Sequence, residues 1–480
     1  MSRAALIIVA VVTCLAPAAR AEERRASNSD ELKKAIAAAK PGAVVVMADG
    51  VWKDVRIVFN GQGREDAPVT LRAATPGKVV LAGESRLSFA GKHLVVDGLC
   101  FSQGGTRSGS VIEFRTSTQN VAEHCRLTNC AVIDYNPKEK KDDTKWVSVY
   151  GTYNRVDHCY FAGKHNVGQV LVVWVGKEPN YHLIDHNHFG PRPPLGENGG
   201  EQLRVGTSEV SMNVSRSTAE WNYFENCDAE IEIVSNKSCE NVYRYNTFDR
   251  CAGTLTLRHG NRCTVEGNWF FGRHKPGTGG IRVIGEDHRI FNNYLEGLEA
   301  KGYPAAITLM KGIPDSPLAG YFQVKRAVVA FNTLADNRTT LLIGGGRRGS
   351  ATLPPADCVI ANNLLVGSTS PLVTQTVEPQ NMRWEGNVAF GAELAIPPGD
   401  GVRVVDPKLE RAADGLLRPA QGSATIAAAK GEYPTVREDI DGQPRELAKD
   451  VGCDQRSSRP VLRGPPGAAD TGPAWRRDGQ

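Results

Sequence analysis

Short stretches in which apolar and polar residues alternate run through most of the chain. Five of them stand in its middle third: "QLRVG" (202–206), "EIEIVS" (230–235), "TLTLRHG" (254–260), "GIRVIG" (280–285) and "AITLMKG" (306–312). Alternation with a period of two is typical of β-strands with one buried face, and Gly and Asn between such stretches are typical of tight turns. The pattern therefore predicts an all-β protein built from many short strands.

An Asn recurs in units such as "WNYF", "YNTF" and "GNWF". Successive copies lie 22 to 25 residues apart in four intervals and 31 to 39 apart in three, at Asn187, Asn222, Asn246, Asn268, Asn293, Asn332, Asn363 and Asn387. A base period in the low twenties with occasional insertions is typical of a solenoid whose loops vary on one side. The stretches between leave no room for a helix per repeat. We therefore predict a single-domain, right-handed parallel β-helix in which stacked Asn side chains hydrogen-bond from turn to turn.

The start of the chain has the pattern of a secretory signal. Arg3 precedes an apolar run over 4–15, and residues 19–21 form a small-x-small cleavage site. The run is too short to span a bilayer, and no later segment is suitable, so we expect an exported protein that is periplasmic or secreted. Removing residues 1–21 takes away Arg3 and Arg20 and no acid, so the net charge of +4 becomes +2. Such a balance argues against general nucleic-acid binding.

Two further segments lie outside the repeats. Asn28 followed by Glu31 predicts a helix N-terminus, and Leu32, Ile36 and Ala37 give that short helix an apolar stripe with which to cap the first turn of the coil. Residues 22–455 are expected to form the β-helix. Residues 456–480, rich in Pro, Gly, Arg and Asp, are expected to form a disordered tail.

The cysteines allow two interpretations. Four of them are spaced by 12 residues, at Cys227, Cys239, Cys251 and Cys263, so alternate members lie about one turn apart. Export permits disulfides, but small buried thiols stacked within the coil fit the same spacing. The spacing does not fix a connectivity.

One face of the predicted coil carries an unusual mixture of charges. Alternation turns Leu203/Val205, Ile231/Ile233, Leu255/Leu257, Ile281/Val283 and Ile307/Leu309 inward, and it turns outward Arg204, Glu232, Thr256, Arg282 and Thr308. Glu230 shares a strand with Glu232, and these two carboxylates would repel each other unless a cation lay between them. A hard cation such as Ca²⁺ takes oxygen ligands of this kind. A plain lattice of salt bridges explains the same residues, and both interpretations stay open at this point.

Four motifs in this region resemble those of the family-six polysaccharide lyases, which comprise alginate lyases and chondroitinase B. They are "NGGEQLRVG" (198–206), "EIEIVSNKSCEN" (230–241), "LTLRHGN" (255–261) and "GGIRVIG" (279–285). The similarity extends from about residue 27 to the low 450s. Four motifs in order and at compatible spacing are specific, whereas any one alone is weak. The resemblance implies a parallel β-helix and Ca²⁺-assisted β-elimination on an acidic polysaccharide.

The resemblance also implies roles for individual residues. Asn198, Glu230 and Glu232 would ligate Ca²⁺, Lys237 would be the general base, and Arg258 would assist the departing O4. Substrate would be bound by Arg204, His259 and Arg282. The expected substrate is alginate, because most of the family acts on it. Cleavage would leave a 4,5-unsaturated uronate at the new chain end. Preference for particular uronates is expected to depend on the loops 134–146, 191–197 and 311–320.

Three other functions remain to be weighed. A polygalacturonase-type hydrolase would use Glu230 and Glu232 as acid and base, but surrounding cations would oppose the raised pKa that the acid requires. A non-catalytic polysaccharide-binding β-helix would keep a cationic groove, with Arg204, His259 and Arg282 in it, and would not need Lys237 or Arg258. A chondroitinase B-type lyase acting on dermatan sulfate would need further cations for sulfate, for which the candidates are Arg262, Arg273, His274 and Lys275.

Overall fold

The computed structural model describes residues 22–346, 349–396, 399 and 401–477. Three long parallel sheets dominate it. Sheet 1 has the strands Glu23–Ala26, Val44–Met47, Val69–Ala73, Leu94–Asp97, Arg126–Thr128, Arg155–Asp157, Leu183–Asp185, Thr218–Glu220, Val242–Arg244, Thr264–Glu266, Arg289–Phe291, Val328–Ala330, Val359–Ala361 and Arg383–Glu385. Sheet 2 has Gly50–Lys53, Val79–Gly83, Leu99–Gly104, Ala131–Ile133, Tyr160–Ala162, His188–Phe189, Tyr223–Glu225, Thr247–Asp249, Trp269–Phe271, Tyr294–Glu296, Thr333–Ala335, Leu364–Val366, Asn387–Phe390 and Val402–Val404. Sheet 3 has Arg56–Gln62, Arg86–Lys92, Gly109–Glu113, Ala122–Glu123, Thr144–Val149, Leu171–Val173, Leu203–Gly206, Glu232–Lys237, Thr254–His259, Ile281–Val283, Ile307–Met310, Leu341–Gly345 and Val373–Gln375.

Each full turn of the coil adds one strand to each sheet, and equivalent residues stack along the axis. Leu203 pairs with Val234, Val234 with Leu255, and Leu255 with Ile281, all of them buried. Every such row buries apolar surface against the turns above and below it. The predicted single-domain, right-handed parallel β-helix is therefore confirmed.

A ladder of buried Asn side chains joins the turns between sheets 1 and 2. The Oδ1 atom of Asn268 accepts hydrogen bonds from both the backbone N–H and the side-chain amide of Asn246, each at 3.0 Å. The same pair of bonds repeats along the predicted Asn positions from 187 to 387. Buried polar groups have to be paired, so the ladder fixes Asn at these positions.

The N-terminal helix Ser29–Ala37 covers the first turn of the coil, as predicted. The Asn28 side chain accepts hydrogen bonds from the backbone N–H groups of Asp30 and Glu31, and this cap starts the helix. Leu32 and Ile36 are buried, but Ala37 is exposed and Ala35 takes its place in the apolar stripe. The stripe follows the spacing of three and four residues that a helix face requires.

The coil ends at Val404, and the rest of the described chain covers its outside. A hairpin, Leu409–Arg411 with Leu417–Pro419, leads into an irregular segment that buries Ile440 and Cys453 against outward residues of sheet 2. Residues 456–477, for which the composition predicts disorder, run back along the coil. There the Trp475 indole N–H donates to the Asn129 carbonyl at 2.8 Å, close to the short helix Ala474–Arg477.

The remaining expectations concern the ends of the chain and its thiols. The predicted signal, residues 1–21, lies outside the described residues. No helix in the described part of the chain has the length and apolar character of a membrane span. The ten cysteines of that part are free and buried, which favours the stacked-thiol interpretation.

Candidate active site

A cavity of about 640 Å³ opens on the outer face of sheet 3. It brings together seven of the eight predicted site residues from four successive turns of the coil: Asn198, Arg204, Glu230, Glu232, Lys237, Arg258 and Arg282. The eighth, His259, does not line the cavity. The stacking of the turns thus places side chains that are far apart in sequence around one space.

Two β-bulges aim the central side chains of this site. Glu232 pairs with Thr254 but Val234 pairs with the next residue, Leu255, so Ile233 is an extra residue in its strand. At the other end of the same strand pair the register shifts again, and Arg258 is the extra residue of the facing strand. Bulges re-aim side chains and are common beside active sites.

The first bulge makes one prediction wrong. Alternation placed Ile231 and Ile233 in line with Leu203 and Val205, whereas Val234 and Asn236 occupy those rows. Glu230 precedes the strand, which begins at Glu232, so the two carboxylates do not share a strand. The extra residue shifts the alternation by one. The inward polar side chain of Asn236 is accommodated because it donates to the His259 carbonyl at 2.7 Å and accepts from the Tyr243 hydroxyl at 2.8 Å.

Three carboxylates line the cavity, those of Glu201, Glu232 and Glu230, and Glu230 is the one with no cationic partner in the described part of the chain. Its Oε2 accepts the Gly199 N–H at 2.9 Å, but among the described residues no Lys, Arg or His nitrogen lies within 4.0 Å of it. Burial raises the pKa of Glu230 to about 8, and the charges of Glu201 and Glu232 add to the shift. A buried carboxylate with no counter-charge is unfavourable. The position therefore suits a bound cation.

The donor atoms around Glu230 fit a hard cation such as Ca²⁺. Carboxylate oxygens and the side-chain carbonyl of Asn198 are the ligand types that Ca²⁺ prefers. A tighter acidic group exists elsewhere in the described chain, where oxygens of Asp439, Asp441 and Asp454 lie within 4.8 Å of one another. Arg418 already lies 2.9 Å from Asp454 and also pairs with Asp441. Arg418 thus offsets part of the charge of that cluster, whereas Glu230 has no such partner among the described residues.

Lys237 and Arg258 line the same cavity. The Lys237 Nζ lies 4.0 Å from Glu201 Oε1 at the end of its strand. The Arg258 guanidinium donates to the Gly320 carbonyl at 2.6 Å and stacks over the Tyr321 ring, with its centre 4.1 Å from the ring centroid. These contacts hold the Arg258 side chain in one orientation. Burial lowers the pKa of Arg258 from its usual value.

Two further cations define the walls of the cavity. Arg282 Nη1 donates to Glu232 Oε1 at 3.3 Å, and its Nη2 donates to the Tyr321 hydroxyl at 3.2 Å. Arg204 lies 4.0 Å from Glu201. Both guanidinium groups remain close enough to the open space to meet an anionic ligand.

His259 lies behind Arg258 and is 1% exposed. Its Nδ1 is 3.4 Å from Arg258 Nη1, and its Nε2 is 3.3 Å from the Ser208 hydroxyl. Burial lowers the pKa of His259 to about 3, with further lowering from Arg258, Lys237 and Arg282, so the ring is neutral at ordinary pH. Its contact with Arg258 is observed, whereas direct substrate binding stays a prediction.

Sequence reasoning missed several residues that line the cavity, among them Gln169, Glu201, Tyr303 and Tyr321. Glu201 stands inside the quoted motif "NGGEQLRVG", three residues after Asn198, so its acidic character was a usable signal. Gln169 binds it, with Nε2 2.8 Å from Glu201 Oε2. The two tyrosines come from loops distant in sequence, and no pattern in the chain marks them.

Comparisons with known proteins identify the family of the chain. A family model described as Chondroitinase B matches residues 26–431. The solved structure of AlyGC, a PL6 family alginate lyase, is 37% identical, with a TM-score of 0.81 over 92% of this chain and 59% of that chain. The chain belongs to the family-six polysaccharide lyases. It spans less than two thirds of the length of AlyGC. No curated protein matches it.

Two other family-six lyase structures resemble the chain. A mannuronic acid specific enzyme from the human gut microbiota is 32% identical, with a TM-score of 0.71 over 77% of this chain and 86% of that one. The lyase Pedsa3628 from Pseudopedobacter saltans is 27% identical, with a TM-score of 0.71 over 94% of this chain and 99% of that one. The family membership predicted from the four motifs is thereby confirmed.

Proposed function

We propose that this family-six lyase cleaves alginate by Ca²⁺-assisted β-elimination. The observation that carries the proposal is the shared cavity: Lys237 and Arg258 line the same space as Glu230, a partly buried carboxylate with no cationic partner within 4.0 Å among the described residues. A base, a fixed guanidinium and an oxygen-rich cation site are the groups that elimination from a uronate needs. AlyGC is named as an alginate lyase, and this similarity supports alginate as the substrate.

The chemistry follows from the acidity of the uronate C5 proton. Bound Ca²⁺ would neutralise the substrate carboxylate and so stabilise the enolate-like charge that develops beside C5. Lys237 takes the C5 proton, the electron pair of that C–H bond forms the C4–C5 double bond, and the C4–O4 bond breaks. Arg258 stabilises the negative charge that develops on O4, and a water molecule protonates O4 as it leaves. Arg204 and Arg282 orient neighbouring carboxylates.

Dermatan sulfate is the second candidate substrate, because the matching family model is described as Chondroitinase B. The four residues considered for sulfate binding are each within salt-bridge distance of an acid: Arg262 with Glu240, Arg273 with Asp249, His274 with Glu299 and Lys275 with Asp228. None of them lines the cavity. Their positions favour alginate over a sulfated substrate.

Ultraviolet absorbance tests the proposal, because a C4–C5 double bond conjugated to the carboxylate absorbs where the substrate does not. Purified protein is incubated with polymannuronate, polyguluronate, alternating alginate and dermatan sulfate, each with and without EDTA. We expect absorbance to rise on an alginate, to be lost with EDTA and to return with Ca²⁺. Binding without any absorbance change, unaffected by Lys237→Ala, would favour a non-catalytic binder. New reducing ends without absorbance would favour a hydrolase.

We further propose that the protein acts outside the cytoplasm. The support is the sequence pattern of residues 1–21 together with a polymeric substrate that cannot readily enter cells. Mass measurement of the protein recovered from periplasm and medium tests this. We expect a form that begins at residue 22, and a full-length cytoplasmic form would contradict the proposal.

A further inference from the structure

Arg192 is a fully buried arginine beneath the cavity, with 1% of its surface exposed. Its Nη1 donates to the carbonyls of Gly200 and Glu201 at 2.8 and 3.0 Å. Its Nη2 donates to those of Asn166 and Gly168 at 3.0 and 2.9 Å. Among the described residues no carboxylate lies within 4.0 Å of the guanidinium. All of its hydrogen bonds therefore go to the main chain.

Two of these carbonyls belong to the segment 198–201, which lines the cavity, and the other two precede Gln169, which also lines it. The segment 198–201 carries Asn198 and Glu201, and its Gly199 N–H donates to Glu230 at 2.9 Å. Gly199 has a φ of 96°, a conformation that glycine adopts without strain but at a cost in conformational entropy, so contacts that hold the segment favour its observed shape. Arg192 donates hydrogen bonds to the carbonyls of this segment, and Glu230 accepts a hydrogen bond from its Gly199 N–H.

A buried guanidinium without a carboxylate partner is a costly way to fill space. An apolar side chain of similar length would fill the same volume without the desolvation of a charge. Unlike an apolar side chain, the arginine has a planar set of N–H donors that can bind several carbonyls at once. Those carbonyls lie directly behind the oxygen donors of the proposed cation site.

Arg445 shows the same type of contact far from the cavity. It is buried, and it donates to the carbonyls of Asp450 and Gly452 at 3.1 and 2.7 Å and to the Asn292 side chain at 2.8 Å. Arg445 braces the irregular segment that covers sheet 2 and does not line the cavity. It is therefore a matched control for the loss of a buried arginine as such.

We propose that Arg192 is the positioning residue of the cation site, holding the segment 198–201 so that Asn198, Glu201 and the Gly199 amide are arranged around Glu230 before the ion binds. The inference rests on the proposed function for the identity of the ion. Residues behind metal ligands typically contribute about 10- to 100-fold to metal affinity. Arg192 touches no substrate and takes no part in proton transfer.

The test is calorimetric titration of Ca²⁺ alone into EDTA-stripped, dialysed full-length protein, without substrate. Variants are Arg192→Met, Arg192→Lys and the control Arg445→Met, each checked for its folded circular dichroism spectrum and its Tm. We expect Arg192→Met to weaken Ca²⁺ binding about 10- to 100-fold and Arg192→Lys, which keeps the charge but contacts fewer carbonyls, to fall between. Arg445→Met is expected to lower Tm while its Kd for Ca²⁺ stays within about twofold of wild type.

Each result either supports or overturns the positioning role of Arg192. Folded Arg192→Met with a wild-type Kd would overturn the inference, and so would an equal loss of affinity in Arg445→Met, since general loosening would then explain both. If Arg192→Met does not fold, the titration of Arg192→Lys replaces it, and a wild-type Kd for Ca²⁺ in that variant would overturn the inference. If the wild-type protein itself binds no Ca²⁺, the cation site of the proposed function is wrong. If wild type binds Ca²⁺ and Arg192→Met binds it equally well, only the role of Arg192 is wrong.

Discussion

Replacing Glu230 by Gln measures how much the burial and mutual repulsion of the cavity carboxylates lower the free energy of unfolding of the metal-free protein. In metal-free protein the pKa of Glu230 rises from 4.5 to about 8, mainly through burial and then through Glu201 and Glu232. At about 1.4 kcal/mol per pKa unit this corresponds to no more than about 5 kcal/mol. We expect about 2 to 3 kcal/mol, because water penetration and side-chain relaxation soften the penalty of a buried charge.

The sign of the pH dependence follows from the direction of the shift. The folded protein holds the Glu230 proton more tightly than the unfolded chain, so its contribution to stability is complete below pH 4.5 and is lost as pH rises through about 8. The Glu230→Gln variant lacks this loss. Without metal, the variant should match wild type more closely at about pH 5 and exceed its free energy of unfolding by about 2 to 3 kcal/mol at about pH 8.5. Saturating Ca²⁺ should remove that advantage, since only wild type regains a strong ligand.

Urea unfolding at the two pH values, with EDTA and then with Ca²⁺, provides the measurement. Glu266→Gln is the matched control, because burial also raises the pKa of Glu266, which lies 3.8 Å from Arg244 on sheet 1. Glu266→Gln should also gain stability relative to wild type as the pH rises. Ca²⁺, however, should stabilise this control as much as it stabilises wild type. A Glu230→Gln advantage that is equal at both pH values, or that survives Ca²⁺, would refute the reasoning.

Three further predictions follow from individual contacts. Lys237→Ala should lower kcat about 10²- to 10⁴-fold, as loss of a general base does, while calorimetric Ca²⁺ binding stays intact; activity within a few fold of wild type would exclude Lys237 as the base. Arg258→Lys should lower kcat about 10²-fold or more, because a lysine cannot reproduce the planar guanidinium, and steady-state rates on the preferred alginate check this. Asn268→Ala should destabilise the fold by about 2 to 5 kcal/mol in urea, because it leaves the Asn246 N–H and the Tyr243 carbonyl unpaired inside the coil. A loss below about 1 kcal/mol would mean that water or relaxation replaces these bonds.

The fold was predictable because its signals repeat. Each turn buries the same kinds of side chain, and the buried ladder admits Asn at equivalent positions such as Asn222 and Asn246, so the period is visible in one sequence. The helix cap at Asn28 is equally local, since its side chain bonds to the amides that follow it. Repeated or local interactions leave a pattern that alternation and spacing can detect.

The details of the site were less predictable because they depend on departures from that pattern. The bulges at Ile233 and Arg258 shift the register without any Gly or Pro to mark them. Tyr321 reaches Arg258 from a loop more than sixty residues away, and Arg192 acts through main-chain carbonyls that carry no residue identity. Such contacts are set by how the turns stack, so they became visible only in three dimensions.

We propose that the cavity performs metal-dependent elimination on a uronate polymer. One measurement tests it most directly: ultraviolet absorbance of alginate incubated with the purified protein, first in EDTA and then after addition of excess Ca²⁺. We predict no change in EDTA and a steady rise once Ca²⁺ is added, with neither seen for Lys237→Ala. Folded, Ca²⁺-loaded wild-type protein that gives no rise on any alginate would contradict the account.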